Sequence, residues 1–166
     1  MTPTHCISCG SEVPDHAEFC HACGSAVYRQ EGKNWPPEPL FSDRFAFSDV
    51  NWKEVPESTG VYVIYDKEES IYVGMAGREK GAGNLRKRLR DHSSGQTVNM
   101  FAQYLFLARV QFECDERITH PKVAKAACRK YIVDRCSFRY IVAESGKQAR
   151  EIEDNLKSQL KPALNA

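Results

Sequence analysis

Residues 60–74 read GVYVIYDKEESIYVG. Two short runs rich in β-branched and aromatic residues, 60–66 and 70–75, flank the charged segment Lys67-Glu68-Glu69. This pattern predicts a β-hairpin. A symmetric loop with Tyr65 opposite Ile71 would place Ile64 against Tyr72 and Tyr62 against Gly74. Tyr62 and Tyr72 would then share one face of the hairpin as diagonal neighbours. A register slip of one residue would separate them.

The hairpin is followed by a glycine-rich loop, AGREKGAG (76–83), and then by NLRKRLRDH (84–92). Asn84 is a good helix N-cap, and Leu85 and Leu89 mark a buried stripe. Arg88 and His92, also four residues apart, share a neighbouring face. Arg86, Lys87 and Arg90 fit phosphate contacts or a solvated basic face. The last stretch, GKQAREIEDNLKSQLKPALNA, repeats Ala149, Ile152, Leu156 and Leu160 at helical spacing. Glu153 falls at the rim of that stripe, where a half-buried carboxylate can line a cleft.

Taken together, these segments resemble the GIY-YIG endonucleases. Gly60-Val61-Tyr62 is similar to the first signature of the family and Tyr72-Val73-Gly74 to the second. Arg88 with His92 matches the family's helical arginine and the Tyr or His four residues later. Glu153, Pro162 and Asn165 match its metal-binding glutamate and the proline and asparagine beyond it. The likeness spans about residues 58–166. Val stands for Ile in both signatures, His92 takes a position that is Tyr in many relatives, and the loop before the helix is longer than in compact members. The resemblance implies a DNA endonuclease holding Mg²⁺ or Mn²⁺ on Glu153, with Arg88 on the phosphoryl oxygens. It further implies Tyr62 as general base or water-orienting group, Tyr72 as a positioning group, His92 as proton relay and Asn165 as a brace. The products would carry 5′-phosphate and 3′-hydroxyl ends. A catalytically inactive nucleic-acid-binding module, or a protein-interaction module, is the alternative.

The N-terminal stretch HCISCGSEVPDHAEFCHACGSAVY (5–28) holds two Cys-x-x-Cys pairs, Cys6 with Cys9 and Cys20 with Cys23, each followed by glycine. Four thiolates favour a tetrahedral Zn²⁺ site with a closed shell, hence a structural metal. A redox pair does not account for two such pairs at this spacing. His5, His16 and His21 are surplus to that shell. The unit resembles short zinc-ribbon modules, and a protein partner through it is left open. Its roughly 25 residues cannot bury a core, so metal binding would supply most of its folding energy.

The expected organisation is a ribbon over 1–28, a linker over 29–55 and a nuclease-like domain over 56–166. The linker carries Pro36, Pro37 and Pro39 together with Trp35, Phe41, Phe45, Phe47 and Trp52. That is too aromatic for a free tether, so part of it should pack on the domain. Residues 1–55 carry 4 Lys/Arg against 8 Asp/Glu, and residues 56–166 carry 19 against 14. The net charge is +1, with a mildly basic C-terminal part suited to a polyanion. No apolar run reaches the ~20 residues of a membrane span, and no secretory signal opens the chain, so a cytoplasmic location and no membrane partner are expected. Oligomeric state is not encoded in any recognisable pattern. Neither a P-loop nor a G-x-S-x-G elbow is present. Cys114, Cys128 and Cys136 read as apolar core residues.

The fold class expected is α/β, a small antiparallel three-stranded sheet flanked by helices. The strands are 60–66, 70–75 and 137–143, and the helices about 84–93, 98–107, 121–134 and 146–160. Residues 108–118 form a further candidate strand, because Val110 and Phe112 alternate with polar neighbours.

Overall fold

The computed structural model describes residues 41–77, 82–114 and 117–165, together with residues 4–5, 12–13 and 21–22 near the N-terminus. The chain divides into two compact units, Met1–Pro37 and Glu38–Ala166. In the first, β1 (Thr4–His5) pairs antiparallel with β2 (Glu12–Val13). Cys6, Cys9, Cys20 and Cys23, the four candidate zinc ligands, lie outside the described residues.

The second unit is an antiparallel sheet flanked by helices. Its strands are β3 (Phe45–Ala46), β4 (Gly60–Asp66), β5 (Glu69–Ala76) and β6 (Cys136–Val142), ordered β3-β6-β4-β5. Its helices are α1 (Leu85–Ser93), α2 (Met100–Ala108), α3 (Pro121–Arg135) and α4 (Gly146–Leu160). Asn84, Asn99 and Ser145 cap α1, α2 and α4 by accepting a backbone N–H with their side chains, and Pro121 opens α3. Among the described residues no helix is long and apolar enough to cross a membrane.

The β4–β5 register brings Ile64 opposite Tyr72 and Tyr62 opposite Gly74, as the hairpin pattern predicts. It does so by a route the sequence did not disclose. The loop holds only Lys67 and Glu68, with Asp66 paired to Glu69 and Tyr65 to Ser70. Lys67 takes the left-handed conformation at φ 53°. A register shift between Ile64 and Tyr65 then leaves Ile71 as an extra residue on β5. Such a bulge moves every later residue of the strand to the opposite face.

Strand alternation places Tyr62, Ile64, Tyr72 and Phe138 on one face of the sheet and Val61, Val63, Val73 and Ile141 on the other. The first face packs on Leu85, Leu89, Phe101, Leu105 and Ile132. The second is buried as well, and α4, which packs on β4 and β5, buries Ala149, Ile152 and Leu156. Burial on both sides explains why 61–64 reads as a continuous apolar run rather than an alternating one.

Three expectations are corrected. The sheet has a fourth strand, because β3 pairs Phe45 with Phe138 at the β6 edge. Residues 41–55, placed in the linker with part of it expected to pack on the domain, belong to the second unit, so the boundary moves: Phe47 and Val55 are buried and Trp52 stacks on Phe138 with ring centroids 6.0 Å apart. Finally, 108–118 contains no strand among its described residues; Val110–Phe112 is a 3-10 turn. Only Val110 of its two apolar residues is buried, while Phe112 is exposed, so the short alternation had no sheet to satisfy.

Gly60 shows how tightly the centre is packed. A Cβ there would lie 2.3 Å from the Ile141 carbonyl oxygen and 2.6 Å from Leu85 Cδ1. Gly60→Ala must part β4 from β6 and should cost about 2 kcal/mol or more, since overpacked cores yield only by moving backbone. Urea unfolding measures this; an unchanged midpoint would contradict the packing described.

Candidate functional site

Tyr62 lies at the middle of the central strand, completely buried. Its hydroxyl sits 2.6 Å from His92 Nε2. His92 comes from the inner face of α1, where Leu85, Leu89 and His92 are the buried positions. Phe101 of α2 completes an aromatic cluster, its ring centroid 5.1 Å from both Tyr72 and His92. Tyr72 lies 6.4 Å from Tyr62 ring to ring.

Gly74 makes that arrangement possible. A Cβ at this position would fall 2.5 Å from the Tyr62 hydroxyl oxygen and 2.9 Å from Tyr72 Cε1. The glycine of the second motif is therefore required by the two phenol rings that converge above it, not by backbone conformation.

A cavity of about 680 Å³ opens beside these groups, lined by Tyr62, Tyr72, Arg88, Lys147, Arg150 and Glu153 among others. It is partly open to solvent, and its lining comes from β4, β5, α1 and α4. Tyr62, Tyr72, Arg88 and Glu153 are thus brought to one place from positions up to 91 residues apart in the chain. Glu153 is among the few buried charged residues.

Burial, then the neighbouring Tyr72 phenol, pushes the Tyr62 hydroxyl far above its ordinary value, while the Arg88 guanidinium pulls the other way. Burial likewise raises Tyr72, opposed by Arg88. His92 is driven down to about 3, first by burial and then by the positive charge of Arg88. Its Nδ1 is buried, and the Asn99 side chain nearby favours the protonated form against these two effects. At neutral pH the Tyr62–His92 pair is uncharged, a phenol against a neutral imidazole.

Asn165 is not in the cavity wall. Its side-chain oxygen accepts the Val73 N–H at 2.6 Å and its amide donates to the Val73 carbonyl at 2.8 Å. It occupies the open edge of β5 next to Tyr72, and Leu164 N–H donates to the Ile71 carbonyl beside it.

The basic trio on α1 does not act as a unit. Arg86 donates to the backbone carbonyls of Val55 at 2.8 Å and Lys53 at 3.2 Å and pairs with Glu57. It ties the start of α1 to residues 53–57 and is not free for phosphate, a correction to the expectation. Lys87 pairs with Asp91 at 2.9 Å on the surface, and Arg90 is exposed.

Phe101, Lys147, Arg150 and Lys157 were not singled out in the sequence. Nothing in α2, apolar on most sides, distinguishes Phe101. Arg150 and Lys157 were available from helical spacing alone, three residues before and four after Glu153. A second cavity of about 740 Å³ near the hairpin loop is larger, but its charges are consumed internally. Arg109 pairs with Asp66 and Glu69, and Arg135 with Glu113. The Tyr62 cavity is the better candidate because it brings two phenols, a guanidinium and a buried carboxylate to one place.

Residues 5–27 match the zinc-ribbon domain family. A comparison with curated proteins gives no match in sequence. Among solved structures, the chain is similar to the GIY-YIG N-terminal endonuclease domain of UvrC from Thermotoga maritima bound to magnesium, its catalytic divalent cation. That similarity has 24% identity and a TM-score of 0.41, covering 69% of this chain and 91% of that one. A tyrosine-to-phenylalanine point mutant of the same domain matches at 22% identity and TM-score 0.37, covering 69% and 90%. An asparagine-to-alanine mutant matches at 20% identity and TM-score 0.37, with the same coverage.

A histidine held near 3 when folded and near 6.5 when unfolded takes up its proton only on unfolding between those values. Its contribution to stability is complete above pH 6.5 and is lost as pH falls toward 3. Urea unfolding at pH 7 and pH 5 should differ by about 2 kcal/mol from this group. His92→Phe should flatten that slope; an identical pH dependence in the variant would mean His92 is not held neutral.

Proposed function

We propose that the unit Glu38–Ala166 is a GIY-YIG-type phosphodiesterase that cuts DNA as an endonuclease with Mg²⁺ or Mn²⁺, and that the zinc ribbon stabilises or targets it. The observation that carries this reading is the convergence of Tyr62, Tyr72, Arg88 and Glu153 on one cavity open to solvent.

The donor set fits a hard divalent cation of the magnesium kind. Among the described residues no group of three or more His, Cys, Asp or Glu side chains forms an all-protein cage. A single carboxylate bordering a cavity with room for water is what Mg²⁺ accepts, since it keeps several of its waters. Glu153 would hold it, with Glu151 also on the cavity lining. When bound, the cation would supply charge stabilisation for the leaving 3′-oxygen.

The remaining work falls to the chain's own side chains. Arg88 stays charged and offers a planar fork of donors to the non-bridging phosphoryl oxygens. Tyr62 is too buried to be a phenolate at rest. With its hydroxyl engaged by His92, it borders the cavity in which the attacking water would sit. His92 sets the rotation of the Tyr62 hydroxyl; held near 3, it acts as that hydroxyl's hydrogen-bond partner rather than as a resident base. Tyr72 borders the same space as a phosphate or water contact. Asn165 acts at one remove, by fixing the β5 edge. DNA is the expected partner and the mildly basic second unit suits it.

The decisive assay is Mg²⁺-dependent nicking of plasmid, with branched DNA and RNA as comparison substrates. Glu153→Gln should reduce cleavage by at least about 100-fold, a loss typical of removing charge stabilisation at a phosphoryl centre. Gly74→Ala, which alters no polar group, should reduce it comparably by displacing Tyr62. Wild-type binding to DNA with no Mg²⁺-dependent cutting on any substrate would refute the enzymatic reading. For the ribbon, metal analysis should find about one Zn²⁺ per chain, and a Cys6→Ser, Cys9→Ser double variant should lose it; full retention would rule out those ligands.

A further inference from the structure

Glu153 is held on both carboxylate oxygens by basic side chains of its own helix. Lys157 Nζ lies 3.0 Å from Oε1 and Arg150 Nη1 lies 3.5 Å from Oε2. The acid side chain is only 8% exposed, whereas those of Arg150 and Lys157 are 65% and 34% exposed. An ionised carboxylate that deep requires countercharge. Together the two bases deliver two positive charges, the same as a divalent cation.

We propose that Lys157 and Arg150 are resident counter-ions of Glu153, which a divalent cation must displace before the site becomes active. This rests on the reading of Glu153 as the cation's ligand. Two features make the pair displaceable rather than permanent. Both partners are long side chains whose outer parts reach solvent, so each can swing away by rotamer changes without backbone movement. Both contacts join neighbours one helical turn away, so no long-range packing is broken when they open. A cation at bonding distance from Oε1 cannot share that oxygen with an ammonium at 3.0 Å without strong repulsion. Lys157 is therefore the principal competitor. Arg150, farther away and more exposed, is the lesser one. In the free protein the two bases hold the Glu153 side chain in place; on cation binding they are released from it. Both are positioning residues for Glu153.

The test is direct binding of Mn²⁺ to the zinc-loaded full chain, measured by calorimetry or by the paramagnetic resonance signal of free Mn²⁺. Lys157→Met should bind Mn²⁺ at least about fivefold more tightly than wild type, because a competing charge has been removed. Lys157→Arg, which preserves the charge, should stay near wild type, and Arg150→Met should show a smaller gain. Glu153→Gln should lose the site. If Glu153→Gln binds Mn²⁺ as well as wild type does, Glu153 is not the ligand and both readings fall. If Glu153 is required but Lys157→Met binds no more tightly, or more weakly, the displacement proposal alone is overturned.

Discussion

One extra residue on β5, Ile71, determines which side of the sheet Tyr72 occupies. With a two-residue loop and no bulge, Tyr62 would oppose Val73 and Tyr72 would project from the far face. The two phenols could not then share a cavity. The bulge restores the pairing of Ile64 with Tyr72, and the C-terminal segment holds it there through Leu164 and Asn165. Bulges are local weaknesses in a ladder. This one is pinned where the ladder is broken, which is how a feature that loosens a strand can serve a site that needs precise placement.

The same rings are buried at an energetic cost that the surroundings only partly offset. Tyr62 and His92 satisfy one another, and the second nitrogen of His92 has the Asn99 side chain nearby. The imidazole is fixed by packing, with the Tyr62, Tyr72 and Phe101 rings on its flanks. Arg88 adjusts the electrostatics of all three titratable rings. It favours a phenolate and disfavours an imidazolium, so any proton shift toward His92 is opposed at its end point.

Much of this was legible in the residues. The hairpin, the N-cap of α1 and the inward stripe of α4 as far as Leu156 follow from short-range rules, because each depends on neighbours within a turn or a strand pair; the bulge that sets the tyrosine register does not, and Leu160, expected on the stripe, is exposed. The convergence of residues 62, 72, 88 and 153 was anticipated only through motif resemblance, since no local pattern states that α4 lies beside β5. What stayed hidden depended on partners far along the chain. The short strand at Phe45 exists because β6 offers an edge, and Arg86 is occupied because residues 53–57 present carbonyls to it. The expected strand near Val110 failed for the converse reason: alternation over so few residues cannot form a strand without a neighbour to pair with.

The terminal contacts along β5 also bear on how separate molecules meet. An uncovered sheet margin invites extended segments from other chains to add on by main-chain pairing, a route to fibrils and to misassembled dimers. The Ile71 carbonyl and both main-chain groups of Val73 are already taken. The opposite margin, β3, is just two residues long and offers little ladder to extend. Strand addition along the middle of β5 would therefore meet main-chain groups that are already occupied.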